Sequence, residues 1–167
     1  YGTLTNLFTQ PQKYYKFKKG RTLSLLYVSI YYPHKIPSIV SEAVDKLNAR
    51  GIKTHLTITM SLDQIQQTPG GEKDFILLKK GLEREQINLI GNVSYGELPA
   101  IYSQHDLFIF SSISETFGHP LVEAMSMGMP IIASDISIHR EICQDAAIYY
   151  SPFLISDLVQ KVEELYY

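Results

Sequence analysis

The chain has 167 residues, 45% of them apolar and 19% charged, with a formal net charge of -2. This composition excludes a disordered, collagen-like or coiled-coil chain, and the charge gives no general pull towards nucleic acid or an anionic membrane. The length suits one domain that builds its own core, and the lone Cys143 excludes a disulfide framework or a Cys-rich zinc site and suits a reducing compartment.

No run approaches the roughly eighteen apolar residues of a membrane span. Residues 1–6 lack the basic start and apolar core of a signal peptide. The first residue is Tyr1, and a fragment of a longer protein is expected. Lys13-Tyr14-Tyr15-Lys16-Phe17-Lys18-Lys19 is basic and aromatic. It reads as chain entering the domain with solvated lysines, in preference to an RNA-stacking surface. Residues 1–20 are therefore an expected entry segment and residues 21–167 the domain.

Leu23 to Ile30 is nearly continuous apolar sequence with β-branched and aromatic residues, which predicts a strand buried on both faces. Tyr31 to Lys35 reads as a loop around Pro33. Ile39, Val40, Ala43, Val44 and Leu47 share a helical face that Gly51 closes. Thr54 to Met60 predicts a strand with Leu56 and Ile58 on one side. Thr68 to Gly71 is a turn, Asp74 to Lys80 a short helix ending at Gly81, and Ile87 to Ile90 a short strand. A helix is expected from Gly96 to Tyr102 with Pro99 in its first turn. Asp106 to Phe110 predicts a buried strand, and Ser111 to Gly118 a polar loop. A helix from about Pro120 to Met127 follows, then strands over 130–134 and 146–150 and a closing helix over 155–165.

Strand and helix thus alternate about six times. This is the pattern of an α/β fold: a doubly wound, Rossmann-like parallel sheet of about six strands with helices on both faces. Such sheets bind ligands beyond the C-terminal ends of their strands, at the switch point. The loops at 29–35, 91–95 and 111–120 lie there.

The last of these carries the chemistry. Glu115 lies in the loop, Glu123 one turn into the next helix, and Gly118 with a helix start between them. Free N–H groups and the helix dipole favour an anion such as phosphate. An ionised carboxylate only accepts hydrogen bonds, which suits sugar hydroxyls. Two carboxylates flanking an anion cradle describe a sugar–phosphate ligand.

Residues 111–135 resemble the signature of the retaining glycosyltransferases called glycosyl transferase group 1, or family 4. Glu115, Phe117, Gly118 and Glu123 match its two glutamates and the Phe-Gly pair. Glu123 to Asp135, Arg140-Glu141-Ile142, Asp145-Ala146-Ala147, Gly91-Asn92-Val93 and Leu98 to Tyr102 are similar too, so the resemblance spans about residues 23 to 160. It implies one half, the C-terminal donor-binding half, of a two-domain GT-B fold whose N-terminal domain is missing here. The implied donor is a UDP-, GDP- or ADP-sugar, with no cofactor or metal, and the implied acceptor a growing glycan or lipid-linked glycan.

By the same resemblance, Glu115 contacts donor-sugar hydroxyls and Glu123 holds the ribose hydroxyls. Backbone amides around Phe117, Gly118 and Leu121 touch sugar or phosphates, Val93 lies against the base, and Lys35 neutralises the diphosphate. His119 abuts the cradle and is a further binding candidate. One departure stands out: Ser29-Ile30 occupy places where the family usually has Gly-Arg. The implied location is cytoplasmic, with membrane association of the full-length enzyme left open. Without its other half, this chain is expected to turn over nothing.

Bland readings apply elsewhere. His55, His105 and His139 lack metal-ligand spacing and read as structural, as does Asp106 before its strand. Met125, Met127 and Met129 read as core, and Cys143 as a small packed residue. Two other functions remain: a nucleotide-sugar epimerase of the same fold, or a binding module without catalysis. A dinucleotide-dependent oxidoreductase is disfavoured, since no Gly-x-Gly-x-x-Gly follows the first strand.

Overall fold

The computed structural model describes Phe17 and residues 20–166. The expected entry segment, Phe17 and Gly20 aside, lies outside the described residues, as does Tyr167. Among the described residues the six strands are β1 (Leu23–Tyr27), β2 (Thr54–Ile58), β3 (Ile87–Leu89), β4 (Leu107–Phe110), β5 (Ile131–Ser134) and β6 (Ile148–Tyr150). They form one sheet in the order β3-β2-β1-β4-β5-β6, with every neighbouring pair parallel. This is the expected doubly wound, Rossmann-like sheet. The chain runs outward from β1 to β3, returns to the centre, and runs outward again from β4. The switch point therefore lies between β1 and β4.

The central strands read as unbroken apolar runs because helices cover both sheet faces. Leu25, Leu26 and Tyr27 of β1 and all four residues of β4 are fully buried. The helices are α1 (Pro37–Ala49), α2 (Leu62–Gln67), α3 (Glu72–Glu83), α4 (Leu98–Ser103), α5 (His119–Ser126), α6 (Ser137–Cys143) and α7 (Ile155–Tyr166). Helix α1 packs against α3 and α7, and α5 against α6. Met127, Met129 and Cys143 are core residues, and burial pushes the Cys143 thiol up to about 11, which keeps it protonated and unreactive.

Several elements differ from expectation. Helix α3 continues through Gly81 to Glu83. Gly81 is there for close approach: a Cβ on it would lie 2.7 Å from Ser41 Oγ on α1 and 3.0 Å from Ile87 Cδ1. Helices α2 and α6 were not expected. Strand β2 is buried at Thr57 as well as at Leu56 and Ile58, so both of its faces are covered. Asp106 ties the start of β4 to β1, accepting from Ser24 N at 2.9 Å and ion-pairing with Arg21.

Candidate functional site

The two loops that leave β1 and β4 meet at the switch point and are laced together. Ile113 N donates to the His34 carbonyl at 2.9 Å. Ser111 Oγ lies 2.8 Å from the carbonyls of both Lys35 and Ile36, and Tyr27 Oη donates to the Lys35 carbonyl at 2.7 Å. These bonds hold Ile36 at φ +43°, a left-handed conformation that a β-branched residue avoids. The turn fixes the backbone of Lys35, whose side chain ion-pairs with Glu115. Both side chains are only 10% exposed. The Lys35 ammonium also lies 5.3 Å from the centre of the Phe110 ring.

Above this pair opens a cavity of about 580 Å³, lined in part by Lys35, Glu115, Gly118 and Glu123. Gly118 has φ +78° and turns the loop into α5. A Cβ at that position would stand 3.2 Å from Leu121 Cδ1. Pro120 follows in the first turn of α5, where its missing N–H breaks no hydrogen bond. Glu123, one turn further on, accepts a hydrogen bond at 2.8 Å from Tyr102 Oη on α4. Burial raises the Glu123 carboxyl above its ordinary value, while the Tyr102 hydrogen bond and the nearby His119 oppose the rise.

Seven of the eight expected site residues line this one cavity: Lys35, Val93, Glu115, Phe117, Gly118, His119 and Glu123. Leu121 does not. Its side chain is fully buried, and its N–H donates to the Gly118 carbonyl at 3.0 Å. Ile30 also lines the cavity and is 60% exposed. Lys35 is the one lysine or arginine among the described lining residues. His34 stands beside the site, stacked on Tyr32 at 5.6 Å between ring centres, and burial lowers its imidazole below the ordinary value.

Sequence reasoning assigned no role in the site to Tyr95, which lines the cavity, or to Tyr102, which holds Glu123. Tyr95 closes the 91–95 loop already placed at the site by the sequence, whereas Tyr102 stands 21 positions from Glu123 on another helix, and no local spacing links that pair.

The family follows from the whole length of the domain. The model of the family described as "Glycosyl transferases group 1" matches residues 10–166. The chain belongs to that family. This family member is 35% identical over 69 residues to the O-antigen chain mannosyltransferase RfbU of Salmonella typhimurium, a match covering 41% of this chain and 20% of that protein. It is 40% identical over 73 residues to a serotype-specific mannosyltransferase, WbdA, of Escherichia coli, covering 44% of this chain and 9% of that one.

Among solved structures, a glycosyltransferase from Rickettsia africae superposes with a TM-score of 0.71 at 20% identity, over 88% of this chain and 38% of that chain. WaaG, a glycosyltransferase involved in lipopolysaccharide biosynthesis, superposes with a TM-score of 0.70 at 18% identity, over 89% and 39%. The fold is thus that of GT-B glycosyltransferases, and the chain spans under two-fifths of each of these relatives. Among the described residues no helix is long and apolar enough to cross a membrane.

Proposed function

We propose that this chain is the donor-binding, C-terminal domain of a retaining glycosyltransferase. It takes a hexose from a nucleoside diphosphate and, with its other domain, passes it to a glycan or lipid-linked acceptor. Mannose is the hexose favoured, because RfbU and WbdA are named mannosyltransferases. The observation that carries this reading is that Lys35, Glu115 and Glu123 line one cavity beyond the C-terminal ends of β1 and β4.

Each group then has a task. Glu123 accepts from the ribose hydroxyls, and Glu115 from hydroxyls of the sugar. The backbone at Phe117, Gly118 and His119 cradles the diphosphate at the start of α5. The Leu121 amide is left out, being bonded to Gly118. Val93 lies against the base. As the glycosidic bond breaks, negative charge grows on the diphosphate leaving group, and the Lys35 ammonium stabilises it where the transition state needs it. The cradle needs no metal in this scheme.

Thermal denaturation with UDP, GDP, ADP and their hexose conjugates tests the reading, since a ligand bound only to the folded chain raises stability by RT ln(1 + [L]/Kd). One nucleoside diphosphate is expected to stabilise the chain and to lose that effect in Glu123→Ala. Stabilisation by NAD with none by any of the three nucleoside diphosphates overturns the reading. No turnover is expected from this chain alone, and measurable transfer by it defeats that part.

A second reading is a binding module without catalysis. Ile30 at the cavity favours it, because Lys35 is then the lone full cation among the described lining residues and Glu115 already balances it. Sugar transfer by the full-length protein, lost in Lys35→Met, decides for the enzyme.

A further inference from the structure

Glu123 sits in a difficult place for its proposed task. It is partly buried, and burial favours the protonated carboxyl. A protonated carboxyl offers one donor and loses acceptor capacity, so it cannot serve a pair of vicinal hydroxyls as a carboxylate does. A free rotor would also lose entropy whenever it was fixed on a ligand. Tyr102 answers both problems from the neighbouring helix.

Tyr102 is fully buried in α4, with its ring 5.7 Å from that of Phe108 on β4. Its hydroxyl lies 2.8 Å from Glu123 Oε2 and 3.2 Å from the Pro120 carbonyl. The phenol has one proton to give, and the nearer, charged acceptor makes the stronger bond. Burial also keeps the phenol protonated, so the donor is always present. Among the described residues, three titratable side chains face Glu123: Tyr102 from α4, His119 at the start of α5, and Tyr95 from the turn at 95–97. Tyr102 donates to the carboxylate at 2.8 Å.

Building on the function proposed above, we infer that Tyr102 is a positioning residue. Its hydroxyl holds one carboxylate oxygen of Glu123 in place, so that the remaining lone pairs are preset for the vicinal diol of a ribose. Tyr102 touches no ligand in this scheme and acts through Glu123 alone. Tyr102 therefore sets the preference for ribo- over deoxyribonucleotides, which general packing does not control.

Tyr102→Phe keeps the ring and removes the hydroxyl. Calorimetric titration with whichever of UDP and GDP binds the wild-type chain, and with its 2′-deoxy analogue, reads the effect. The variant is expected to bind the ribonucleotide about tenfold more weakly, the scale of one lost hydrogen bond to a charged group. Binding of the deoxy analogue should change less than about twofold, because the contact it lacks is the one being weakened. Equal losses for both ligands, or no loss for either, overturn the inference.

A second measurement needs no ligand. Carboxyl carbon-13 shifts of Glu123, followed against pH, should show a higher midpoint in Tyr102→Phe than in the wild type. An unchanged midpoint overturns the inference even if neither nucleotide binds. A wild-type chain that binds no nucleoside diphosphate, yet shows the raised midpoint, overturns the proposed function and leaves the Tyr102–Glu123 coupling standing.

Discussion

Lys35 and Glu115 stand 80 positions apart in the chain, yet they form a nearly buried ion pair across the switch point of the sheet. Each came separately from the sequence as a ligand contact, and the structure joins them. Breaking such a pair by removing one partner leaves an uncompensated charge, at a cost of about 3–5 kcal/mol. A diphosphate entering the cavity brings Lys35 a second anionic partner. Glu115→Gln should therefore lower the melting temperature of the unliganded chain and enlarge its stabilisation by pyrophosphate relative to the wild type. Thermal shift assays with inorganic pyrophosphate check this. A smaller shift in the variant than in the wild type sinks it, because Glu115 would then be helping the anion bind.

Gly118 combines a left-handed backbone with a place on the cavity wall. Alanine there costs about 1–2 kcal/mol from the backbone alone, and its Cβ meets Leu121 Cδ1 at 3.2 Å. Asparagine tolerates the same backbone through its own local hydrogen bonds. Gly118→Ala is expected to be less stable than Gly118→Asn by urea titration, though both carry the same Cβ. Equal midpoints would show that contact with Leu121, and not the backbone, sets the cost.

How far the sequence carried depends on the range of the interactions. Strands β1 and β4 were legible because Leu23 to Tyr27 and Leu107 to Phe110 are buried on both faces, which leaves an apolar run in the sequence itself. The loops at the site followed from the alternation of elements and the rule that ligands sit at a switch point. Helix α2 escaped because Ile65 is its one buried residue, and α6 because it buries only His139 and Cys143 and has no side-chain cap. Gly81 read as a stop because sequence shows a missing side chain but not the neighbour at 2.7 Å that requires it. Pairings such as Tyr102 with Glu123 depend on how α4 packs beside α5, which no local pattern records.

Glu123 makes a prediction about stability. Its folded carboxyl is raised above the ordinary value, chiefly by burial. A raised acid binds more protons folded than unfolded, so stability falls as pH rises from the ordinary carboxylate value through the raised one. Above that window the charged group is a fixed penalty. Glu123→Gln removes the charge and still offers Tyr102 an acceptor. The variant should match or exceed the wild type in melting temperature at pH 7, by roughly 2–4 °C per kcal/mol recovered, while losing nucleoside diphosphate binding. A lower melting temperature at pH 7 would mean that the ionised form is favoured in the fold after all.

His139 gives the opposite sign. It is fully buried on α6, packs 5.4 Å from the Phe110 ring, and its Nδ1 lies 2.9 Å from the Ser134 carbonyl. That contact places the proton on Nδ1 and leaves Nε2 as a bare acceptor, which has no hydrogen-bond partner among the described residues. Burial lowers the imidazole below its ordinary value, Lys35 adds to the fall, and Glu115 and the Ser134 contact oppose it. A lowered base binds fewer protons folded than unfolded, so stability drops as pH falls from the ordinary imidazole value towards the lowered one. His34 and His105 are lowered too, again chiefly by burial, so the wild-type slope is a sum. Subtraction isolates His139. His139→Asn keeps a donor near the Ser134 carbonyl but cannot take up a proton. It should be less stable at pH 7 by about 1–2 kcal/mol for the lost volume, and its urea midpoint should fall less steeply between pH 7 and pH 5. The two curves then converge on acidification. Parallel curves would mean that His139 takes up its proton in the folded chain as readily as in the unfolded one, and that its burial does not resist the charge.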